Sequence, residues 1–244
     1  MLTNKVVLIT GAAHRIGATT ARMLHAEGMN ILLHYLHSRE AAEALQAELN
    51  NIRQDSVSLL QADLHDTHSL PVLIENAIKV WGQLDVLINN ASSFYATPIG
   101  TVTEEHWDDL IGSNLKAPLF LSQAAAPYLR QHQGCIVSIV DIHAERPLKE
   151  FPVYSMAKAG LVMLTKSLAC ELGPEVRVNA VAPGAILWPE NLGESEKEKI
   201  ISRTFLKRQG APEDIAKAIL YLIRDAGYVS GQVLTIDGGR SLNS

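Results

Sequence analysis

Tyr154 and Lys158 have the chemistry and the spacing of a proton-transfer pair. They are four residues apart, so on one helix they share a face. An ammonium group beside a phenol favours the phenolate, and we expect it to lower the pKa of Tyr154 from an ordinary value of about 10. Such a phenol can pass a proton to a substrate. Because this spacing also arises by chance, the pair indicates catalysis only in a fold that binds a nucleotide cofactor.

A glycine turn near the N-terminus has the composition of a phosphate-binding loop. Residues 10–17 read TGAAHRIG and stand between an apolar run and an amphipathic stretch. In a strand–turn–helix unit, such a turn aims backbone N–H groups at an anion, and the helix dipole adds to the attraction. A plain connection between a strand and a helix is the alternative. We expect four residues of the turn to bind a dinucleotide, namely Gly11, Arg15, Ile16 and Gly17.

Short apolar runs alternate with longer amphipathic stretches along the whole chain. Continuous apolar runs are typical of strands in a parallel sheet, and the alternation predicts right-handed crossovers. Strands are predicted at Val6–Thr10, Ile31–His34, Val57–Gln61, Val86–Asn89, Ile136–Val140, Val178–Ala182 and Val233–Ile236. Helices are predicted at Gly17–Glu27, Arg39–Asn50, Ser69–Trp81, Glu104–Gln131, Tyr154–Leu172 and Pro212–Arg224. The sequence thus predicts an α/β fold, a single doubly wound Rossmann domain over residues 1–244 with a seven-stranded parallel sheet flanked by helices.

Composition argues against two classes of partner. Hydrophobic residues make up 47% and charged residues 19% of the 244 residues, and the formal net charge is -5. Without a basic excess we expect no nucleic-acid partner, and without a long apolar run we expect no membrane partner.

Cys135 and Cys170 are expected to be buried thiols in a reducing cytoplasm. The histidines lack metal-site spacing, so no metal is expected. An irregular stretch at about 183–207 is expected to be a substrate loop.

The end of the second predicted strand indicates which dinucleotide binds. A carboxylate there would hydrogen-bond the adenosine ribose and repel a 2′-phosphate, but the first acid is Glu40. The side chains that stand there instead can donate to a phosphate, so we expect NADPH to be the cofactor. A solvated helix start is the alternative. The expected cofactor residues of this segment are His34, Tyr35, His37, Ser38 and Arg39.

Together these motifs resemble the short-chain dehydrogenase/reductase family over essentially the whole chain. The matching features, in family order, are the glycine turn, Asn89-Asn90-Ala91, Asn114, Tyr154, Lys158, Pro183-Gly184 and Asp237-Gly238-Gly239. The resemblance implies that Tyr154 gives a proton while the nicotinamide gives a hydride. It implies that Asn114 kinks its helix and holds a proton-relay water beside Lys158. It also implies a homotetramer, with Gly231–Arg240 packing across subunits. The further cofactor residues that it implies are Asp63 and Leu64 at the adenine, and Asn89, Ala91, Tyr154, Lys158, Pro183 and Gly184.

Departures from the family pattern are shared with one subfamily, the pteridine reductases. Arg15 replaces the middle glycine of the turn, and Asp141 stands where the family usually has a Ser. Residues 90–95, NASSFY, resemble that subfamily's Asn-Ala-Ser-x-Phe-Tyr, and His34-Tyr35 also matches. The resemblance implies that Phe94 stacks on a pterin. The implied substrate-binding residues are Arg15, Ser92, Phe94, Asp141 and Tyr154. Residues 185–188, AILW, depart from the subfamily, which often has a Ser shortly after the Pro-Gly.

We therefore expect an NADPH-dependent reductase that transfers hydride to a pterin such as dihydrobiopterin or dihydrofolate. Its catalytic residues would be Asp141, Tyr154, Lys158 and Asn114. One alternative is a reductase of 3-oxoacyl thioesters or other carbonyl compounds, whose substrate carbonyl needs a hydroxyl donor that a carboxylate does not supply. A second alternative is a catalytically silent NADPH-binding regulator, against which the intact Asn114, Tyr154 and Lys158 count.

Overall fold

Seven parallel strands form one sheet in the computed structural model, which describes residues 2–188 and 193–243. The strands are β1 Val6–Ile9, β2 Asn30–Tyr35, β3 Val57–Gln61, β4 Val86–Asn89, β5 Cys135–Ile139, β6 Arg177–Pro183 and β7 Val233–Ile236. Their spatial order is β3-β2-β1-β4-β5-β6-β7. The order reverses between β1 and β4, which opens a crevice at the carboxyl ends of these strands. The predicted doubly wound sheet is confirmed.

Helices cover both faces of the sheet. They are α1 Arg15–Ala26, α2 Arg39–Ile52, α3 Leu70–Trp81, α4 Glu104–Ile111, α5 Ala117–Gln131, α6 Pro152–Leu172, α7 Glu194–Ser202 and α8 Pro212–Arg224. Side chains alternate along a strand, so neighbouring residues of β1 face opposite layers. Val7 packs with Leu24 of α1 and Ile219 of α8. Leu8 packs with the core residues of α3 and α5 on the other face.

The long helix predicted over Glu104–Gln131 is interrupted. A π-helical turn, Gly112–Lys116, separates α4 from α5. Within it the Asn114 side chain donates to the carbonyl oxygen of Leu110 at 3.0 Å. Such single turns are often found at functional sites. The prediction of one uniform helix was wrong, and the kink implied at Asn114 takes the form of this turn.

A helix also lies within the segment predicted to be irregular. The first turn of α7 carries Glu194 and Glu196, which suit the positive end of a helix dipole. Glu196 Oε2 accepts the Gly193 N–H at 3.2 Å, and Lys197 pairs with Glu194 at 2.6 Å. Residues 189–192, including Pro189, lie outside the described residues. The expected loop is therefore partly helical.

Of the two cysteines, one is where it was expected. Cys135 is buried at the start of β5, and burial raises its thiol pKa to about 11. Cys170 is exposed, so the expectation of two buried thiols was wrong. It shares an outer face of α6 with Met156 and Met163, which are 50% and 61% exposed. Within the described ranges, the structure contains no helix with the length and apolar character of a membrane span.

Candidate active site

Asp141 and Tyr154 meet where the chain leaves β5 and enters α6. The Tyr154 hydroxyl donates to Asp141 Oδ2 at 2.8 Å. The other carboxylate oxygen, Oδ1, accepts the N–H of His143 at 2.8 Å at the start of a 3-10 turn, Ile142–Ala144. One oxygen of the carboxylate is thus held by the backbone while the other faces the phenol.

Lys158 lies beneath the ring of Tyr154. Its Nζ is 5.6 Å from the ring centroid and donates to the Ile139 carbonyl oxygen at 2.9 Å. Lys158 as a whole is 2% exposed. Burial lowers the pKa of Lys158 to about 8, although the charge of Asp141 opposes this shift. Lys158 can therefore gain and lose a proton near neutral pH.

The expected lowering of the Tyr154 pKa was wrong for this arrangement. Burial raises the pKa of Tyr154 well above 10, and the charge and hydrogen bond of Asp141 raise it further. A phenolate beside a carboxylate is disfavoured by like-charge repulsion. Tyr154 is consequently held as a protonated donor whose hydroxyl already points at Asp141.

Asn114 ties the loop after β4 to the π-helical turn. It is fully buried, and its Nδ2 donates to the Ser93 carbonyl oxygen at 2.9 Å. Its Oδ1 accepts the Ser92 hydroxyl at 2.7 Å. The side chain therefore positions the backbone that leads into Phe94. Its implied role in holding a relay water stays a prediction.

Phe94 completes an aromatic wall beside the hydroxyl of Tyr154. Its ring stacks on Phe151 with centroids 4.7 Å apart and an interplanar angle of 16°. It meets Tyr154 edge-on at 4.8 Å, and 47% of Phe94 remains exposed. A flat ring can stack on this exposed surface. Phe151 was missed from the sequence, although its position directly before Pro152 at the start of α6 was a usable signal.

In the glycine turn, two glycines are required by close approaches. Gly11 has φ +60, and a Cβ there would lie 3.0 Å from Ala91 Cα. A Cβ on Gly17 would lie 2.6 Å from the Gly11 carbonyl oxygen. Asn90 holds the turn against β4 by donating to the Thr10 carbonyl oxygen at 2.8 Å.

Arg15 occupies a backbone conformation that favours glycine. Its φ is +52, and the residue is exposed at the first position of α1, directly before Ile16. A left-handed conformation costs a non-glycine residue on the order of 1–3 kcal/mol. A Gly at this position would avoid this cost, so the Arg15 side chain is kept at the turn at the expense of backbone strain.

The residues predicted at the end of β2 divide into two groups. His34 and Tyr35 are buried, at 2% and 5% exposure. His37 and Arg39 are exposed and Ser38 is half-buried, so these three side chains are accessible to a ligand. His34 instead supports the glycine turn, because its Nδ1 accepts the Gly11 N–H at 3.2 Å and its Nε2 lies 3.1 Å from the Ala62 carbonyl oxygen.

Acid is expected to destabilise the fold through His34. Burial lowers its pKa to about 4, only partly opposed by Ala62 and Asp63, whereas an unfolded His titrates at about 6.5. The unfolded chain therefore binds the proton first, and about 3 kcal/mol of stability is lost as the pH falls from 6.5 to 4. Urea unfolding of the wild type and His34→Gln, at pH values between 7 and 4.5, measures this loss. If His34→Gln loses stability with falling pH as steeply as the wild type does, His34 is not the cause of the loss.

Four further predicted cofactor residues lie at or just after the carboxyl ends of β3 and β6. Asp63 is exposed, and the next residue, Leu64, is buried. The His65 N–H donates to the Asp63 carboxylate at 2.9 Å, and this hydrogen bond lowers the pKa of Asp63. Pro183 ends β6, and Gly184 has no room for a side chain, since a Cβ would lie 2.6 Å from Asp237 Cβ.

Asn89 is buried at the end of β4. Its Nδ2 lies 3.4 Å from the Ser122 hydroxyl and 3.5 Å from the Ser138 hydroxyl. Among the described residues, its Oδ1 has no hydrogen-bond partner. Ser138 is itself buried, so the nearest hydroxyl before Asp141 faces β4 rather than Tyr154.

Comparison with known proteins identifies the family. A family model described as enoyl-(acyl carrier protein) reductase matches residues 11–241. Pteridine reductase 1 of Leishmania tarentolae is 35% identical, covering 98% of this chain and 97% of that protein. A 3-oxoacyl-(acyl-carrier-protein) reductase of Staphylococcus aureus is also 35% identical, covering 98% and 99%. The 7alpha-hydroxysteroid dehydrogenase of Bacteroides fragilis is 34% identical, covering 99% and 96%. The chain is therefore an oxidoreductase of the short-chain dehydrogenase/reductase family.

Proposed function

We propose that the protein is an NADPH-dependent pteridine reductase, which transfers hydride to a pterin such as dihydrobiopterin or dihydrofolate. The observation that carries the proposal is the 2.8 Å hydrogen bond from Tyr154 to Asp141, beside the exposed face of Phe94. Reduction of a pterin adds a hydride to a ring carbon and a proton to the adjacent ring nitrogen. A carboxylate coupled to a phenol suits protonation of nitrogen, and an aromatic face suits a flat heterocycle.

The residues around the crevice fit a dinucleotide. A Cβ at Gly11 or Gly17 would crowd neighbouring backbone atoms, so glycine at both positions keeps the turn in the tight form that suits a pyrophosphate. Among the described residues, the buried Oδ1 of Asn89 has no hydrogen-bond partner and is an available acceptor. When bound, the nicotinamide supplies the hydride. The residues that would hold the pyrophosphate are Gly11, Arg15, Ile16 and Gly17, and those that would hold the 2′-phosphate are His37, Ser38 and Arg39. The adenine would lie against Asp63 and Leu64. The residues on the nicotinamide side would be Asn89, Ala91, Tyr154, Lys158, Pro183 and Gly184.

Proton delivery falls to the chain's own side chains. Tyr154 gives its proton to the ring nitrogen and is left as a phenolate, which takes a proton back from water. Asp141 accepts the hydrogen bond of the Tyr154 hydroxyl and holds it in place. Lys158, with a pKa of about 8, exchanges protons beneath the ring. Asn114 and Ser92 hold the loop so that Phe94 faces the substrate.

A carbonyl reductase is the second candidate, favoured by the equal identity to the 3-oxoacyl-(acyl-carrier-protein) reductase. Against it, Asp141 replaces the expected hydroxyl, and Ser138 is turned toward Asn89. Oxidation of NADPH, followed with dihydrobiopterin, dihydrofolate and an acetoacetyl thioester in parallel, separates the candidates. Faster oxidation with either pterin supports the proposal. Faster oxidation with the thioester rejects it, and oxidation with none of the three favours a silent regulator.

NADPH is expected to exceed NADH in kcat/KM by at least about tenfold. Each charge-assisted hydrogen bond to the 2′-phosphate contributes about 1.5–3 kcal/mol. The exposed pair of Arg39 with Glu43, at 3.7 Å, is weak, as surface ion pairs usually are, so the guanidinium can turn to a phosphate at little cost. Arg39→Ala should reduce the preference, whereas Arg130→Ala, on an exposed part of α5, should leave it unchanged. A wild-type preference for NADH rejects the cofactor assignment.

We also propose that the protein assembles as a homotetramer and works in the reducing cytoplasm. The half-exposed edge strand β7, within Gly231–Arg240, and the stripe of Met156, Met163 and Cys170 on α6 are apolar surfaces that association would cover. The thiols of Cys135 and Cys170 are both free. Light scattering at micromolar concentration should give four times the chain mass. A monomer under these conditions rules the assembly out.

A further inference from the structure

His65 joins the loop after β3 to helix α4. Its Nδ1 lies 3.2 Å from Asp63 Oδ1 in the same loop. Its Nε2 lies 3.2 Å from the Asp109 carbonyl oxygen and 3.3 Å from Asp109 Oδ1, although the two residues are 44 positions apart in the chain. Both ring nitrogens thus face acceptors, and an imidazolium donates to both sides at once. The ring forms a bridge between the residue expected at the adenine and α4.

The same ring packs against the π-helical turn that follows α4. A Cβ on Gly112, the first residue of that turn, would lie 2.5 Å from His65 Cδ2. The Asp109 carbonyl oxygen that faces Nε2 also accepts the Ser113 hydroxyl at 2.8 Å. His65 therefore contacts the start of the turn through its ring and through a shared carbonyl group.

Helix α4 in turn holds the chain on both sides of Phe94. Asp109 Oδ1 accepts the Ser93 hydroxyl at 3.1 Å. The ring of Tyr95 meets that of His106 edge-on, with centroids 5.7 Å apart. The two neighbours of Phe94 are thus both anchored on α4, so the position of this helix sets the position of the aromatic wall.

The accessibility of the bridge sets its expected strength. Asp63 and His65 are exposed and Asp109 is half-buried, so water weakens each contact and its contribution to the stability of the fold is modest. Modest contacts still affect binding when they fix the surface on which a substrate is oriented. We therefore expect the loss of His65 to affect substrate binding more than folding.

We propose that His65 is a positioning residue that couples the adenine end of the cofactor site to the wall that carries Phe94. This inference rests on the proposed function, in which Asp63 meets the adenine. A cofactor that engages Asp63 fixes the loop after β3, and His65 passes this restraint to Asp109. Asp109 then holds Ser93, and with it the aromatic wall, before the flat substrate binds.

Amide hydrogen exchange tests the coupling without turnover. Adenosine 2′,5′-bisphosphate carries the adenine and the 2′-phosphate of NADPH but no nicotinamide, so it fills only the adenine end of the site. Saturating probe is expected to slow exchange at least about threefold in wild-type peptides that cover α4 and residues 92–97. His65→Ala should lose this protection while the probe still binds, whereas His68→Ala, at an exposed histidine of the same loop, should keep it. An unprotected wild type, or full protection in His65→Ala, overturns the inference.

Gly112→Ala separates the position of the ring from the stability of the fold. The added methyl group would push the His65 ring away from Asp109, although alanine is a better helix former than glycine. The variant is therefore expected to lose the protection while its Tm stays at or above that of the wild type. Added to His65→Ala, the same change should have no further effect on exchange. Protection that survives in Gly112→Ala contradicts the role of the ring.

Steady-state kinetics measures the consequence for the reaction. In His65→Ala the KM for dihydrobiopterin is expected to rise about threefold to tenfold, as for the loss of one modest hydrogen bond, with little change in kcat. His65→Gln, which keeps one donor, should give a value between those of His65→Ala and the wild type. A lower kcat with an unchanged KM contradicts a positioning role. If the wild type reduces no pterin, the proposed function fails, while the exchange experiment still decides whether His65 couples the two ends of the site.

Discussion

Replacing Tyr154 by Phe is expected to lower kcat by about 10²–10⁴-fold, the usual contribution of a positioned acid or base. The variant keeps the ring that contacts Phe94 and lies over Lys158 but loses the hydroxyl that donates to Asp141 at 2.8 Å. Single-turnover oxidation of NADPH with a saturating pterin measures the loss in the chemical step. Because burial and Asp141 hold Tyr154 protonated, this variant removes the group proposed as the acid.

Two controls keep this result specific to proton delivery. The dissociation constant for NADPH, from protein fluorescence, should change little in Tyr154→Phe, since the aromatic packing is retained. Tyr221→Phe, on an exposed part of α8, should turn over like the wild type. Near-normal turnover in Tyr154→Phe would falsify the role of Tyr154 as the donor.

Asp141→Ser is expected to lose most pterin activity, by about 10²-fold or more, while still folding and binding NADPH. A Ser hydroxyl can accept the His143 N–H that Asp141 accepts now, so the 3-10 turn after β5 should survive. What is lost is the carboxylate that accepts the hydrogen bond of the Tyr154 hydroxyl and holds it in place. Steady-state rates with dihydrobiopterin and dihydrofolate measure the change.

A spectroscopic titration adds an independent readout to Asp141→Ser. The carboxylate raises the pKa of Tyr154, so its removal should lower that pKa, and the phenolate absorbance should develop at lower pH than in the wild type. Asp141→Asn separates charge from shape, because it keeps the volume and removes the charge. Full pterin activity in Asp141→Ser contradicts the pteridine assignment and leaves the family assignment intact.

Most of the fold was predictable because its signals are local. The apolar run predicted at Ile31–His34 is β2, Asn30–Tyr35, and the run at Val233–Ile236 is β7 itself. The break in Glu104–Gln131 was not predictable from periodicity, since it depends on the bonds from Asn114 to Ser93 and Leu110. The helix α7 was missed because its mainly charged residues follow a stretch rich in Pro and Gly.

Less of the candidate site than of the fold could be predicted from the sequence. The motif places Lys158 one turn after Tyr154, but only the fold shows the ammonium beneath the ring and bonded to Ile139. His34 reads as a ligand for a phosphate, yet its ring is enclosed between Gly11 and Ala62. Spatial proximity of this kind depends on the sheet order and has no local sequence signal.

The sequence by itself determined the element order, the parallel sheet and the residue types of the site, because hydrophobic period and motif spacing are properties of neighbouring residues. The tertiary structure alone decided how those residues are charged and oriented. Asp141, thirteen residues before Tyr154, raises the pKa of the phenol that Lys158 was expected to lower. Burial and electrostatic interaction depend on distance in space, which the chain sets only when it folds.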